Sequence, residues 1–205
     1  MSPDKNHGLR EFFLRMTRQA CGELGLRDAK IVRYLADLLT DFARADQLYR
    51  LHAASGARLD SLSQMLAARS IVEPVAPARD DARLDALPPG TPPHHLARQR
   101  AFRRYLGDYS LFMSGLFRHH VECRGALELY FEQGRHSYWK VSELDLALYN
   151  TGFLLFQDLS RKFEYYSGAL DYMRKTHFAA SPGAHPFADF LKEVERWIGV
   201  GISSN

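Results

Sequence analysis

A seam of residues that lie alternately three and four positions apart constrains this sequence more than any other feature. It consists of Tyr149, Gly152, Phe156, Leu159, Phe163, Tyr166, Leu170, Met173 and His177. Such a seam repeats about every 3.5 residues, which is typical of helices that pack nearly parallel at shallow angles. The sequence therefore predicts that the stretch after Ser142 forms one long helix or two collinear helices.

Apolar residues at helical spacing recur through the rest of the chain. They predict helices around residues 9–22, 28–49, 59–69, 94–120, 126–144 and 186–199, with Asp28 as an N-cap and Pro186 in the first turn of the last helix. Strand-like alternation of useful length is lacking in the sequence. The pattern predicts an all-α fold, a single-domain helical bundle of about six to eight helices that spans residues 1–205.

Residues 71–93 interrupt this pattern with six of the nine prolines in the chain. Proline removes a backbone donor and biases the residue before it away from the helical conformation. We therefore expect a proline-rich connector here, which is long for a loop inside one domain.

The composition is that of an ordinary globular protein, with 46% hydrophobic and 25% charged residues. No charge-free stretch is long enough to cross a bilayer, and the N-terminal residues contain no apolar signal core. The two cysteines, Cys21 and Cys123, follow no disulfide or zinc-ribbon spacing. We therefore expect a cytoplasmic protein that has no membrane partner.

The stretch RRYLGDYSLFMSGLFRHH, residues 103–120, has helical spacing but carries Gly107 and Asp108 in its middle. Glycine inside a helix costs roughly 0.5–1 kcal/mol relative to alanine, so another interaction should offset it. Gly107 shares a strip of the predicted helix with Ser110 and Ser114. The strip favours close approach of a neighbouring helix, and a kink is the alternative.

Asp108 has mostly apolar or small neighbours on the helical wheel, Tyr105 among them, and should point at least partly inward. A buried carboxylate needs a partner, and Arg104 lies four residues earlier on the same face. A structural ion pair between Arg104 and Asp108 is the first interpretation. The second is an acid in a site, formed with Arg104 and Tyr105, that binds a small ligand or transfers a proton.

Further groups able to bind a metal ion follow Asp108, namely His119, Glu122, Glu132 and His136. Carboxylates and imidazoles from several helices form dinuclear sites in ferritin-like bundles. Such sites use a Glu-x-x-His pattern twice, and this sequence lacks that pattern. An iron or manganese site at these five residues is therefore the alternative hypothesis, and the first expectation is that the protein has no cofactor.

Residues 94–124 carry six basic and two acidic side chains, which accounts for the basic excess of the whole chain. Arg98, Arg100, Arg103 and Arg104 form the core of this basic patch. Guanidinium groups bind phosphate or carboxylate well. Four arginines are a small footprint for a duplex, so nucleic acid is not expected as a partner. A solvated face or an acidic protein partner is favoured.

The sequence resembles uncharacterised bacterial all-helical proteins that carry the motif Gly-Asp-x-x-Leu-Phe-x-x-Gly-Leu-Phe. The matching residues are Gly107, Asp108, Leu111, Phe112, Gly115, Leu116 and Phe117, followed by Tyr130, Phe131, Gly134 and Tyr138. The likeness extends over most of the chain. It implies a cytosolic helical domain of bacterial origin, and it implies no activity for any residue.

Two functional hypotheses follow. The first is a non-enzymatic regulatory or protein-interaction domain that binds a protein partner or itself, as a homo-oligomer. Its basis is the lack of a recognised catalytic motif together with the 3.5-residue seam and the glycine–serine strip. The second is a metal- or haem-dependent helical-bundle enzyme, ferritin-like or haem-oxygenase-like, whose basis is the group of acids and histidines between Asp108 and His136.

Overall fold

The computed structural model describes residues 3–43, 51–52, 62–67, 73–74 and 92–178. Eight α-helices lie in this part of the chain: α1 (Pro3–Glu23), α2 (Ala29–Phe42), α3 (Leu62–Ala67), α4 (Pro92–Leu116), α5 (Arg118–Cys123), α6 (Leu127–Ala147), α7 (Phe153–Arg161) and α8 (Phe163–Met173). A π-helical turn, Arg174–Phe178, follows α8. The predicted all-α bundle of six to eight helices is confirmed.

Two short strands accompany the helices. Strands β1 (Leu51–His52) and β2 (Glu73–Pro74) pair antiparallel, with Leu51 opposite Pro74. Strand β2 lies in the predicted connector, and α4 begins at Pro92, inside the end of that connector. The remainder of the connector and the helix predicted over residues 186–199 lie outside the described residues.

The ends of α2 follow from local chemistry. Asp28 caps the helix, because its carboxylate accepts hydrogen bonds from the backbone N–H groups of Lys30 at 2.8 Å and Ile31 at 3.4 Å. Nine of the fourteen residues of α2 are buried. Helix α2 therefore lies in the interior of the bundle, packed along α1 and touching α4 and α7.

Helix α4 is the central element. It packs most extensively on α6 and next on α8, and it also contacts α2, α3 and α5. Its apolar stripe is buried, and it includes Phe102, Leu106, Phe112 and Leu116. Most of the α4 residues in the stretch 103–116 therefore face other helices.

The long helix predicted after Ser142 is wrong. Helix α6 ends at Ala147, and the chain reverses so that α7 packs against α6 instead of continuing it. Lys162 then separates α7 from α8. The seam survives the break: its apolar side chains from Phe156 to Met173 are buried within this one chain. Its spacing reflects packing inside the bundle.

Among the described residues, no helix combines the length and apolar composition that a membrane span requires.

Candidate functional site

Gly107 is present because α4 and α6 approach closely there. A Cβ atom at this position would lie 2.7 Å from the ring of Tyr138 on α6. Gly115, two turns further along α4, is crowded in the same way by Leu170 of α8, whose Cβ would lie 2.6 Å from an added Cβ. The close approach predicted at Gly107 occurs, and the space that the glycine leaves is filled by a side chain of α6 in the same chain.

Asp108 joins three helices through its carboxylate. It accepts a hydrogen bond from the hydroxyl of Tyr138 on α6 at 2.8 Å, and another from the hydroxyl of Tyr34 on α2. Arg104 of α4 lies 3.6 Å from the second carboxylate oxygen. The side chain of Asp108 is 16% exposed and that of Arg104 is 17% exposed. The predicted inward orientation and the Arg104 pairing both occur.

Burial sets the electrostatics of this cluster. It raises the pKa of Asp108 above its ordinary value, against the opposing effects of Arg104 and the two hydroxyl donors. Burial, helped by the neighbouring carboxylate, also raises the pKa values of Tyr34 and Tyr138 well above normal. Both tyrosines are therefore neutral donors at neutral pH. Their bonds to Asp108 serve to hold α2, α4 and α6 together.

Tyr105, which the sequence places beside Asp108, packs elsewhere in the core. Its ring lies 6.0 Å from that of Phe42 and 6.2 Å from that of Tyr109, measured between centroids. The two hydroxyl groups at Asp108 belong to Tyr34 and Tyr138, which sequence reasoning missed. They lie 74 and 30 residues away along the chain, and no local pattern links them.

A second buried ion pair lies at the end of α6. Arg100 of α4 donates from Nε to Asp145 of α6, and the side chains are 8% and 0% exposed, respectively. Asn150 also donates its side-chain amide to Asp145, at 2.9 Å, and its backbone N–H to the Asp145 carbonyl, at 2.8 Å. Asp145 therefore fixes the start of the chain reversal between α6 and α7.

Phe156 of α7 lies between the two polar clusters. Its ring is 5.7 Å from that of Tyr34 and 5.8 Å from that of Tyr138, and the Arg100 guanidinium lies 5.6 Å from its centroid. The ring of Phe156 thus packs against both polar clusters.

The predicted basic patch is divided by this arrangement. Arg98 is exposed and Arg103 is half-buried, but Arg100 is buried against Asp145 and Arg104 turns toward Asp108. The prediction of a four-arginine surface is therefore wrong, because Arg100 and Arg104 form ion pairs with acids inside the bundle.

The five residues of the metal hypothesis do not come together either. His119 lies near the Cys123 sulfur, at 3.6 Å, and Glu122 pairs with Arg118. Glu132 and His136 are exposed on α6, whereas Asp108 bonds to tyrosines in the interior. Within the part of the chain that the structure describes, no three histidine, cysteine or acidic side chains form a group able to hold a metal ion.

The outer face of α6 carries an exposed stripe of residues spaced three and four apart. The stripe, called the α6 stripe below, consists of Leu129, Glu132, His136, Trp139, Glu143 and Leu146. Its three large apolar side chains are 37%, 38% and 52% exposed, in chain order. The opposite face of α6, which includes Phe131, Tyr138 and Val141, is buried, so this helix carries large apolar side chains on both faces.

The α6–α7 turn, residues 148–152, extends the exposed apolar surface. Tyr149 is 96% exposed and has a φ of 56°, and Leu154 just beyond the turn is 63% exposed. A bulky residue in the left-handed region costs about 1–2 kcal/mol. The bonds from Arg100 and Asn150 to Asp145 hold the adjoining backbone in place. The turn thus presents an aromatic ring to solvent at a cost in stability.

Comparisons of this chain with protein-family models, with curated proteins and with solved structures found no match. The resemblance to uncharacterised bacterial helical proteins therefore stays a prediction. The fold and the surface define a helical bundle with two buried polar clusters in an apolar core and one helix that exposes large apolar side chains on its outer face.

Proposed function

We propose that this protein is a protein-interaction domain whose binding surface is the α6 stripe together with the α6–α7 turn. The observation that carries the proposal is the exposure of Leu129, Trp139 and Leu146 on a helix whose inner face is already buried. Exposed apolar patches that are rimmed by polar residues mark sites of interaction.

The side chains on this surface suit such a role energetically. Full burial of one large apolar side chain contributes roughly 1.5–3 kcal/mol. Leu129, Trp139 and Leu146 are already about half-buried or more, so each gains part of this amount, and these side chains supply a share of the binding energy of a complex. Tryptophan and tyrosine are enriched among the residues that dominate interface energies. Trp139 and Tyr149 are therefore the expected anchors.

The interior clusters support a structural role instead of a ligand site. The carboxylate of Asp108 is bonded by Tyr34, Tyr138 and Arg104, and that of Asp145 by Arg100 and Asn150. All of these partners lie within the chain. The seam and the glycine–serine strip, which suggested self-association, are likewise used in internal packing. A protein partner is therefore proposed in place of a second copy.

Site-specific photocrosslinking in cells that naturally produce the protein tests the proposal. A benzophenone amino acid at position 132, within the α6 stripe but not at an apolar anchor, should give a discrete protein adduct. The same group at Gln99, an exposed position on α4, should give none. The adduct at position 132 should disappear when Trp139→Ala or Leu146→Glu is added.

Adducts that are equal at positions 132 and 99, or that persist in both stripe variants, would refute the proposal. An adduct of twice the mass of the 23.4 kDa chain would keep the interaction function but identify a second copy as the partner.

A further inference from the structure

We infer that the occupant of the α6 stripe is an amphipathic helix of a partner protein that carries lysine or arginine beside its apolar residues. The inference rests on the proposed function and adds the chemistry of the partner. It draws on the shape of the stripe and on its charge.

The shape of the stripe favours a helix. Leu129 to Leu146 span about 25 Å along one unbroken helix, at 1.5 Å per residue. Spacing by threes and fours lets the side chains of a second helix pack between them at a shallow angle. An added β-strand would need unpaired backbone groups, and those of α6 are already bonded within the helix.

The charges along the stripe favour a basic partner. Glu132 and Glu143 lie in the stripe, and Glu128 and Glu164 lie along one side of it. One arginine and one lysine accompany these four acids and already pair with three of them: Arg135 binds Glu128 and Glu164, and Lys140 binds Glu143. The pKa of Glu143 is lowered by its hydrogen bond to Lys140 and, to a lesser extent, by the charge of His136 in the stripe. The surface thus has an acidic excess that lysine or arginine would complement.

The same charges disfavour a second copy of this chain. An antiparallel pairing that sets Leu129 against Leu146 also sets Glu132 against Glu143, because both pairs are symmetric about the same point. A parallel pairing sets each glutamate against its own equivalent. Like charges directly opposite each other are destabilising, so the stripe does not complement itself.

Binding of two synthetic peptides to the full-length protein tests the inference. Both peptides are about five helical turns long with leucines at helical spacing, and the remaining positions are lysine in one and glutamate in the other. Anisotropy of the labelled peptide reports binding. The leucine–lysine peptide should bind at least tenfold more tightly than the leucine–glutamate peptide.

Variants of the protein locate the binding. Glu132→Gln together with Glu143→Gln should weaken the leucine–lysine peptide roughly threefold to tenfold, and Trp139→Ala at least tenfold. The matched control Glu11→Gln removes an exposed acid from α1 and should change the affinity less than twofold. All three variants alter exposed side chains, and urea unfolding checks that each is folded.

Equal affinity for both peptides, binding of neither, or binding indifferent to the stripe variants would overturn the inference. Concentration-dependent dimerisation that Trp139→Ala abolishes would also overturn it, in favour of a second copy. The in-cell crosslink separates the two proposals, because a position-132 adduct with another protein upholds the interaction function even when neither peptide binds.

Discussion

At the scale of single residues, the pair Gly107–Asp108 has one explanation. Gly107 leaves room for the ring of Tyr138, and Asp108 accepts a hydrogen bond from the hydroxyl of that same tyrosine. Tyr34 adds a second donor from α2. The glycine and the acid therefore act together to place one aromatic side chain between α4 and α6.

A double-mutant cycle measures that contact. Asp108→Asn should lower the free energy of unfolding by about 1–3 kcal/mol at neutral pH, since it weakens two buried hydrogen bonds and the pairing with Arg104. Tyr138→Phe should couple to it by roughly 0.5–2 kcal/mol. Arg104→Gln serves for comparison, and its coupling energy with Asp108→Asn should be smaller than that of Tyr138→Phe. The ion pair between Arg104 and Asp108, at 3.6 Å, is partly exposed and therefore screened by solvent. Additive effects of Asp108→Asn and Tyr138→Phe would disprove the contact.

The raised pKa of Asp108 predicts a pH dependence of definite sign. Between about pH 4, where the unfolded carboxyl titrates, and the higher pKa of the folded state, the folded protein binds more protons than the unfolded chain. The contribution of Asp108 to stability therefore falls as pH rises through this window. Urea unfolding should show that wild type exceeds Asp108→Asn in free energy of unfolding by an amount that grows from neutral toward acid pH. If this difference in free energy shrinks toward acid pH, the pKa of Asp108 is lowered in the folded protein and the prediction is wrong.

Crowding at Gly107 predicts opposite effects of alanine at two glycines. Gly107→Ala should lower the free energy of unfolding by about 1–3 kcal/mol, because the added methyl group meets the Tyr138 ring at 2.7 Å. Gly22→Ala in α1, where nothing lies within 4 Å, should be neutral or stabilising by up to about 1 kcal/mol. A Gly107→Ala protein as stable as Gly22→Ala would contradict the packing described for α4 and α6.

At the scale of elements, the α6–α7 turn departs most from what its sequence predicts. The chain reverses at Tyr149, which has a positive φ, where the seam predicted a long helix or two collinear helices. The bonds of Asn150 and Arg100 to Asp145 hold the chain on either side of Tyr149. The exposed ring is thus maintained against the local preference of its own backbone.

Substitution of Tyr149 should separate stability from binding. Asparagine tolerates the left-handed conformation better than tyrosine, so Tyr149→Asn should raise the free energy of unfolding by about 0.5–1 kcal/mol. It should also weaken partner binding by removing an exposed aromatic anchor. Denaturant unfolding gives the first effect, and the yield of the position-132 crosslink gives the second. Loss of stability with unchanged crosslinking would contradict both parts.

At the scale of the whole molecule, local patterns predicted the fold well and the site poorly. The all-α bundle, the Asp28 cap and the inward orientation of Asp108 depend on residues within a few positions of one another. The burial of Arg100 depends on Asp145, which lies 45 residues away in sequence. Because the residues next to Arg100 in sequence include other arginines, local patterns placed it on the surface. The reversal at Tyr149 escaped prediction because Tyr149 and Gly152, which lie in the turn, share the three-and-four spacing of the seam residues that follow them.

Coverage of the α6 stripe in cells is the central claim, and thiol footprinting tests it most directly. Glu132→Cys, in a Cys123→Ser background that leaves only the buried Cys21, places a reporter in the stripe, and Gln99→Cys places a control on α4. A partner on the stripe predicts that maleimide labels both positions equally in purified protein but labels position 132 much more slowly than position 99 in intact cells. Equal labelling of the two positions in cells would contradict the claim.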